Sequence, residues 1–212
     1  MLNRKNFQIE GSLSITWKEE LVKIFKQFDT LCSKYNLIYF CNGGTAIGAV
    51  RHHGFIPWDD DIDVMMPRPD YEKLLDIFHT EDVDNIEIIT PEDNENYYLT
   101  YAKLYKKDTT LLENRCFHCI IGVFIDIFPL DGAPSDPKQA KKLYDRYQKL
   151  RFNIYLTATY YGFTDLMIRV IKLHWKDVFK TLFAYIFRKR IRRKSLYEIH
   201  KIIQKVNYED SK

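Results

Sequence analysis

The feature that most constrains the fold is an aspartate run inside an otherwise apolar stretch: residues 59–63 read Asp-Asp-Asp-Ile-Asp and lead directly into Val64. Residues two apart in a β-strand point to the same face of the sheet. A strand here therefore directs Asp61 and Asp63 together and leaves Ile62 and Val64 facing the core. A solvated acidic turn is the alternative, and we disfavour it because the flanking residues are apolar.

Two carboxylates this close repel each other unless a cation lies between them. Hard oxygen ligands favour Mg²⁺ or Mn²⁺, and Mg²⁺ is commonly shared between carboxylates and substrate phosphates. We therefore expect Asp61 and Asp63 to bind a metal ion. Asp59 joins them if the strand begins early, whereas the alternation of a strand predicts that Asp60 points elsewhere.

A further carboxylate, Asp126, lies inside the apolar run 123–128. An isolated Asp in such a run costs several kcal/mol unless it is paired. If its strand lies beside that of Asp61 and Asp63, the three carboxylates converge on one metal site. The alternative is a structural Asp that caps a loop or pairs with Arg or Lys.

A glycine turn, Gly43-Gly44-Thr45, follows the apolar run 37–41. Glycines let backbone approach phosphate closely, and the N-terminus of a following helix offers free N–H groups. Seventeen residues separate Gly44 from Asp61, so the two elements can lie at the same end of adjacent strands. A Gly-Gly turn is nevertheless often only a turn.

Two side chains late in the following helix, Arg51 and His52, are candidate phosphate contacts. Arg51 is the stronger candidate because a guanidinium binds phosphate through two parallel hydrogen bonds. Either residue could equally lie on the surface.

The order of the remaining elements predicts a mixed α/β sheet. Helical periodicity begins near residue 17, where Thr16 and Glu19 have the spacing of an N-cap and its capping box. Pro69 fits the first turn of another helix. Strands are expected at 37–41, 59–66, 86–90, 98–105 and 122–128, and helices at 17–35, 45–52 and 69–78.

Beyond residue 136 the pattern is mostly helical, with helices expected at 138–160, 164–187 and 195–207. We therefore expect a catalytic α/β domain over residues 1–135 and a helical appendage over residues 136–212.

Three blocks of sequence carry a resemblance to a known family. They read GTAIGAVRHHGFIPWDDDID at 44–63, PRPDYE at 67–72 and FIDIFPLDG at 124–132. Together they resemble the LicD family, which includes the fukutin-type enzymes, and the resemblance covers roughly Glu20 to Pro134. It implies a nucleotidyltransferase-like fold.

The resemblance also implies a function: transfer of phosphocholine or a polyol phosphate from a CDP-linked donor to a glycan, with release of CMP. It implies catalytic and metal-binding roles for Asp61, Asp63 and Asp126. Positions near the donor phosphates would be Gly43, Gly44, Thr45, Arg51, His52 and Lys103.

Two other functions stay open. One is a nucleotidyltransferase that acts on a small molecule and releases pyrophosphate. The other is a non-catalytic nucleotide-binding module, because family members usually continue well past the length of this chain.

Neither terminus has the pattern of a secretory signal, which favours a cytoplasmic protein with reduced cysteines. The segment Cys116-Phe117-His118-Cys119 resembles half a zinc site, but no matching second pair is evident, so we expect ordinary thiols.

Six of the seven residues from Arg188 to Lys194 are basic. Such a run beside an amphipathic helix favours peripheral contact with the inner face of a membrane, which would suit a lipid-linked glycan acceptor. A helix with a solvated basic end is the equal alternative. The net charge is only +3, and we expect no nucleic-acid partner.

Overall fold

The computed structural model of the protein describes residues 12–111, 119–158, 183 and 186–211. Its helices are α1 (Ser12–Tyr35), α2 (Gly43–Ile47), α3 (Arg68–Thr80), α4 (Pro137–Ala158) and α5 (Arg188–Ile203). Its strands are β1 (Phe40–Cys41), β2 (Asp63–Pro67), β3 (Ile86–Ile89), β4 (Ala102–Lys106) and β5 (Phe124–Leu130). A π-helical turn (Gly48–His52) continues α2, and a 3₁₀ turn (Tyr208–Asp210) follows α5.

The strands form one mixed sheet in the order β1-β2-β5-β4-β3. β2 pairs antiparallel with β1 and parallel with β5, so the prediction of a mixed α/β sheet is confirmed. In the parallel pair, Asp63 lies opposite Asp126. This register brings two carboxylates that are far apart in sequence onto neighbouring strands.

The core follows the predicted periodicity. On β2, Val64 and Met66 are fully buried, and Ile62 just before the strand is buried as well. The inner face of α1 buries Leu21 and Ile24, which fall at helical spacing. Apolar burial of this kind is the main favourable term in folding and holds β2 in place.

Several predicted boundaries differ from the structure. The chain is already helical at Ser12, so Thr16 lies inside α1 and its assignment as an N-cap is wrong. β1 contains only Phe40 and Cys41, which pair with Met65 and Val64, whereas a strand was expected from residue 37. α3 does have a proline in its first turn, as predicted.

The chain divides into two compact units. The first comprises Met1–Ile88, Lys103–Leu111 and Ile121–Leu130, and it contains most of the sheet. The second comprises Ile89–Ala102, Leu112–Ile120 and Asp131–Lys212. The proposed division at residue 135 stays a prediction.

In the second unit α4 and α5 pack against each other. The helix expected at 164–187 lies outside the described residues except for 183, 186 and 187. Within the described part of the chain, every helix is too short or too polar to cross a bilayer.

A buried arginine organises the second unit. Arg192 of α5 is only 7% exposed. Its Nη2 donates hydrogen bonds to the carbonyl oxygens of Pro91 (2.6 Å), Asn94 (2.9 Å) and Tyr97 (2.9 Å). One guanidinium thus holds the loop 91–97 in place, and this cation of the basic run is structural.

Candidate active site

Asp63 and Asp126 lie side by side because β2 and β5 are parallel and in register. The backbone N–H of Asp126 donates to the carbonyl oxygen of Ile62 at 2.9 Å, which fixes that register just before β2 begins. Asp126 is buried, whereas Asp63 is half-buried. The expectation that these two strands adjoin is confirmed.

Lys103 of β4 supplies the positive charge beside Asp126. Its Nζ lies 2.8 Å from Asp126 Oδ1 and 3.2 Å from the centroid of the Phe124 ring. Lys103 is only 1% exposed, so it forms a buried ion pair rather than a surface contact. The alternative that Asp126 pairs with a lysine is therefore what the structure shows, and a phosphate contact by Lys103 stays a prediction.

The aspartates at the start of the run form a compact cluster. Carboxylate oxygens of Asp59, Asp60 and Asp61 all lie within 4.8 Å of one another. These residues precede β2, so strand alternation does not separate them. The expectation that Asp60 points elsewhere is wrong for this reason, although its side chain remains exposed.

Electrostatic crowding changes how easily the carboxyl groups ionise. Burial, reinforced by the nearby charge of Asp59, raises the pKa of Asp61 to about 6. Burial, together with the charges of Asp61 and Asp126, raises the pKa of Asp63 to about 7. Lys103 opposes both shifts but does not cancel them. Without a metal ion, the surroundings therefore disfavour the ionised forms of Asp61 and Asp63.

The two glycines make room for the carboxylates. A Cβ on Gly44 would lie 2.2 Å from Asp59 Oδ2, and one on Gly43 would lie 3.3 Å from Asp63 Oδ2. Gly43 also has a φ of +51°, a conformation that favours glycine. The structure therefore gives the pair a role that the sequence did not suggest, which is to let Asp59 and Asp63 approach the start of α2.

Thr45 fixes the backbone beneath Asp63. Its Oγ1 accepts a hydrogen bond from the Asp63 N–H at 2.9 Å. The carbonyl oxygen of Asp63 accepts one from the Asn42 N–H, also at 2.9 Å. Thr45 thus positions Asp63, and its predicted place near a donor phosphate is untested.

Two residues of α1, missed from sequence, hold the loop that carries the aspartate run. Trp17 Nε1 donates to the carbonyl oxygen of Asp60 at 2.7 Å. Lys18 Nζ donates to that of Pro57 at 3.0 Å and lies 5.3 Å from the Phe55 ring centroid. Their sequence signal was weak, because polar and aromatic residues on a helix are usually surface residues.

Arg51 and His52 contact each other at the end of the π-helical turn. Arg51 Nε donates to His52 Nδ1 at 3.3 Å, and the His52 ring lies edge-on to Trp58. The Arg51 side chain is exposed. Their assignment as phosphate contacts stays a prediction.

The described cysteines Cys32, Cys41 and Cys119 form no disulfide with one another. Most of the half-zinc motif, including Cys116 and His118, lies outside the described residues.

The donor set fits a hard divalent cation. All candidate ligands are carboxylate oxygens, the type that Mg²⁺ and Mn²⁺ prefer. The Asp59 carboxylate occupies the space beside Gly44 that a Cβ at that position would fill. By geometry, Asp59, Asp60 and Asp61 form a group that could hold such an ion, and Asp63 and Asp126 lie opposite each other on the adjoining strands. The role of Asp61, Asp63 and Asp126 as a shared ligand set stays a prediction.

Comparison with known proteins identifies the family. Residues 36–170 match the family described as LicD/FKTN/FKRP, nucleotidyltransferase domain. This chain belongs to the LicD family. The matched region contains the aspartates, the glycine turn and Lys103, whereas Trp17 and Lys18 precede it. The acidic cluster therefore lies in the LicD-family domain itself.

Similar proteins come from several bacteria. The chain is 38% identical over 135 residues to a lipopolysaccharide cholinephosphotransferase of Haemophilus influenzae, covering 62% of this chain and 50% of that protein. It is 27% identical over 121 residues to an uncharacterized protein of Rickettsia prowazekii, covering 57% of this chain and 37% of that one. It is 29% identical over 129 residues to an uncharacterized protein of Rickettsia typhi, covering 58% and 37%. The match to the LicD-family cholinephosphotransferase thus covers only half of that protein.

Proposed function

We propose that this protein is a metal-dependent phosphotransferase that moves a phosphorylated alcohol from a CDP-linked donor to a cell-surface glycan and releases CMP. The observation that carries the proposal is that Asp63 lies opposite Asp126 on adjacent strands and is influenced by the charge of Asp61, within a LicD-family domain. Similarity to a cholinephosphotransferase makes phosphocholine the first group to test, and a polyol phosphate the second.

The acidic residues bind a divalent cation in this proposal. Asp59, Asp61, Asp63 and Asp126 would hold the cation, and Lys103 pairs with Asp126 within the sheet. A divalent cation, when bound, neutralises charge that develops on the transferring phosphoryl group. Without that charge, the raised pKa values of Asp61 and Asp63 leave a larger protonated, non-ligating fraction of both groups near neutral pH than an ordinary aspartate has.

The reaction is an in-line displacement at phosphorus. An acceptor hydroxyl attacks the phosphorus that carries the alcohol, and the bond from that phosphorus to the CMP oxygen breaks. A carboxylate of the cluster accepts the hydroxyl proton. The chain's own contribution is thus mainly orientation and charge placement.

The backbone at the start of α2 is the proposed contact for the donor phosphates. Gly43 and Gly44 let Asp59 and Asp63 lie against the start of α2, so a bound donor phosphate would lie close to these carboxylates. Free N–H groups there favour negative charge. Arg51 supplies additional positive charge if the donor extends along α2, and His52 is a second candidate contact there.

The test is a donor screen. The purified protein is incubated with Mg²⁺ and CDP-choline, CDP-ribitol or CDP-glycerol, with lipopolysaccharide as acceptor, and CMP is quantified by chromatography. We expect CMP from one donor, and its loss when the metal is chelated. Asp61→Asn should reduce the rate by at least 100-fold, because it removes a ligand that orients the transferring group.

Asp76→Asn is the matched control, since Asp76 is an exposed aspartate of α3 in the same unit. It should retain the wild-type rate. Release of pyrophosphate from a nucleoside triphosphate would instead indicate a nucleotidyltransferase. If no CDP compound is bound or cleaved and Asp61→Asn changes nothing, the proposal is wrong.

A further inference from the structure

The helix α5 has two chemically different sides. Its buried side consists of Arg192, Ser195 and Ile199. Helical hydrogen bonds from Phe187 N–H to the Phe183 carbonyl oxygen (3.0 Å) and from Ile191 N–H to that of Phe187 (2.9 Å) connect Phe183 to the helix. The opposite side, which we call the outer face of α5, comprises Phe183, Ile186, Arg190, Arg193, Lys194 and Tyr197. These six positions fall within about 100° of one another on a helical projection.

The cations of the outer face are unpaired in the part of the chain that the structure describes. Arg190, Arg193 and Lys194 are exposed, and none forms an ion pair or hydrogen bond with another described residue. The neighbouring cations Arg188 and Lys189 differ, because both approach the carboxylate of Glu95. Arg188 and Lys189 thus share one carboxylate, Arg192 is buried, and Arg190, Arg193 and Lys194 are unpaired among the described residues.

Large apolar side chains lie among these cations. Phe183 is 58% exposed, Ile186 is 64% exposed and Tyr197 is 57% exposed. Scattered exposed apolar residues are ordinary, but here they share one side of a helix with three unpaired cations. An apolar and cationic surface of this kind is what interfacial helices present to a bilayer.

We propose that the outer face of α5 docks on an anionic lipid bilayer. Arg190, Arg193 and Lys194 would lie against acidic headgroups, while Phe183 and Ile186 enter the boundary between headgroups and acyl chains. Tyr197 has the amphipathic character favoured at that depth. The six residues of the outer face are all basic, apolar or aromatic, and two acidic residues, Glu92 and Glu95, line a neighbouring cavity that Arg190 and Arg193 border.

Nucleic acid is a poorer match to this surface. Phosphate backbones would satisfy the three cations but would leave Phe183 and Ile186 in water. A bilayer satisfies both components at once. The proposal does not rest on the proposed enzymatic function.

The experiment is co-sedimentation of the full chain with lipid vesicles. Binding is compared between vesicles of phosphatidylcholine alone and vesicles that also contain phosphatidylglycerol, at low and high salt. We expect salt-sensitive binding to the anionic vesicles only. The triple variant Arg190→Gln, Arg193→Gln, Lys194→Gln should bind roughly 100-fold more weakly, a few-fold for each cation.

A second triple variant, Lys138→Gln, Lys142→Gln, Lys149→Gln, makes the same change in net charge on exposed positions of α4. It should bind the vesicles as wild type does. The variant Phe183→Ser with Ile186→Ser should bind more weakly at high salt, where the apolar contribution dominates.

Three results would overturn the proposal: no binding of the wild type to anionic vesicles, equal loss in both triple variants, or tighter binding to double-stranded DNA than to vesicles. Circular dichroism of each variant checks that the fold is retained. CMP release in solution should be unchanged in the outer-face variant, whereas Asp61→Asn should lose CMP release and keep vesicle binding. Failure of docking and failure of the proposed function are therefore separable.

Discussion

Replacing Gly44 by alanine tests whether Asp59 belongs to the metal site. The added Cβ would lie 2.2 Å from Asp59 Oδ2 and 3.2 Å from its Cγ. Ordinary contact begins near 3.4 Å, so the Asp59 carboxylate must move by about 1 Å. Because it is the end of a side chain rather than backbone, it can rotate away without unfolding the protein.

The expected result is a loss of metal affinity with little loss of stability. Alanine is a better helix former than glycine by up to about 1 kcal/mol, which offsets part of the strain. The free energy of unfolding should therefore change by less than about 1 kcal/mol. Displacing one ligand should weaken Mn²⁺ or Mg²⁺ binding by roughly 10- to 100-fold.

Isothermal titration calorimetry with Mn²⁺ measures the affinity, at a pH above the pKa values of Asp61 and Asp63. Gly54→Ala is the control, since its Cβ would meet nothing within 4 Å. Gly43→Ala provides a contrast: its φ of +51° should make alanine cost about 1 kcal/mol of stability. Wild-type affinity in Gly44→Ala would refute the assignment of Asp59 as a ligand.

Three further perturbations follow from the buried charges. Because burial raises the pKa of Asp61 to about 6 and of Asp63 to about 7, the folded metal-free protein binds more protons than the unfolded chain between about pH 4 and 7. Its free energy of unfolding should therefore fall by several kcal/mol as the pH rises through that window, and Mg²⁺ should restore it. Urea titrations at several pH values measure this. Lys103→Met leaves the Asp126 carboxylate uncompensated and should cost about 3–5 kcal/mol, much of which the double variant with Asp126→Asn should recover in urea unfolding. Arg192→Met removes three hydrogen bonds to backbone carbonyls and should cost about 3 kcal/mol by the same measurement.

Each of these has a clear contrary result. A stability that is flat or rising between pH 4 and 7 without metal would contradict the raised pKa values. Additive effects of the two changes at Lys103 and Asp126 would show that the ion pair does not couple them. An unchanged denaturation midpoint in Arg192→Met would mean that loop 91–97 does not depend on the guanidinium.

The local features of the site could be predicted from the sequence. The alternation of Ile62 and Val64 with the aspartates placed the strand and its buried face, because period two is read directly from sequence. The sequence could not show that the strand of Asp126 lies beside this one, because the order of distant strands depends on the whole sheet. The conformation of Asp60 was misjudged because the strand begins only at Asp63.

Other features depend on contacts between distant parts of the chain. Lys103 is one lysine among many in the sequence, and only the sheet order places it against Asp126. Gly44 suggested a phosphate-binding turn, whereas the structure shows that its missing Cβ accommodates Asp59. Arg192 was one of six basic residues that looked alike, and burial alone distinguishes it.

The anchoring of loop 91–97 by Arg192 bears on how deletion experiments should be interpreted. The family match ends at residue 170, so this guanidinium comes from beyond the matched region. A chain shortened to residue 135 would keep every aspartate of the cluster and still leave the link between β3 and β4 without its hydrogen-bond donor. If such a shortened chain were inactive, the loss of the hydrogen bonds to loop 91–97 would be enough to explain it. The result would not show whether the removed residues touch a substrate.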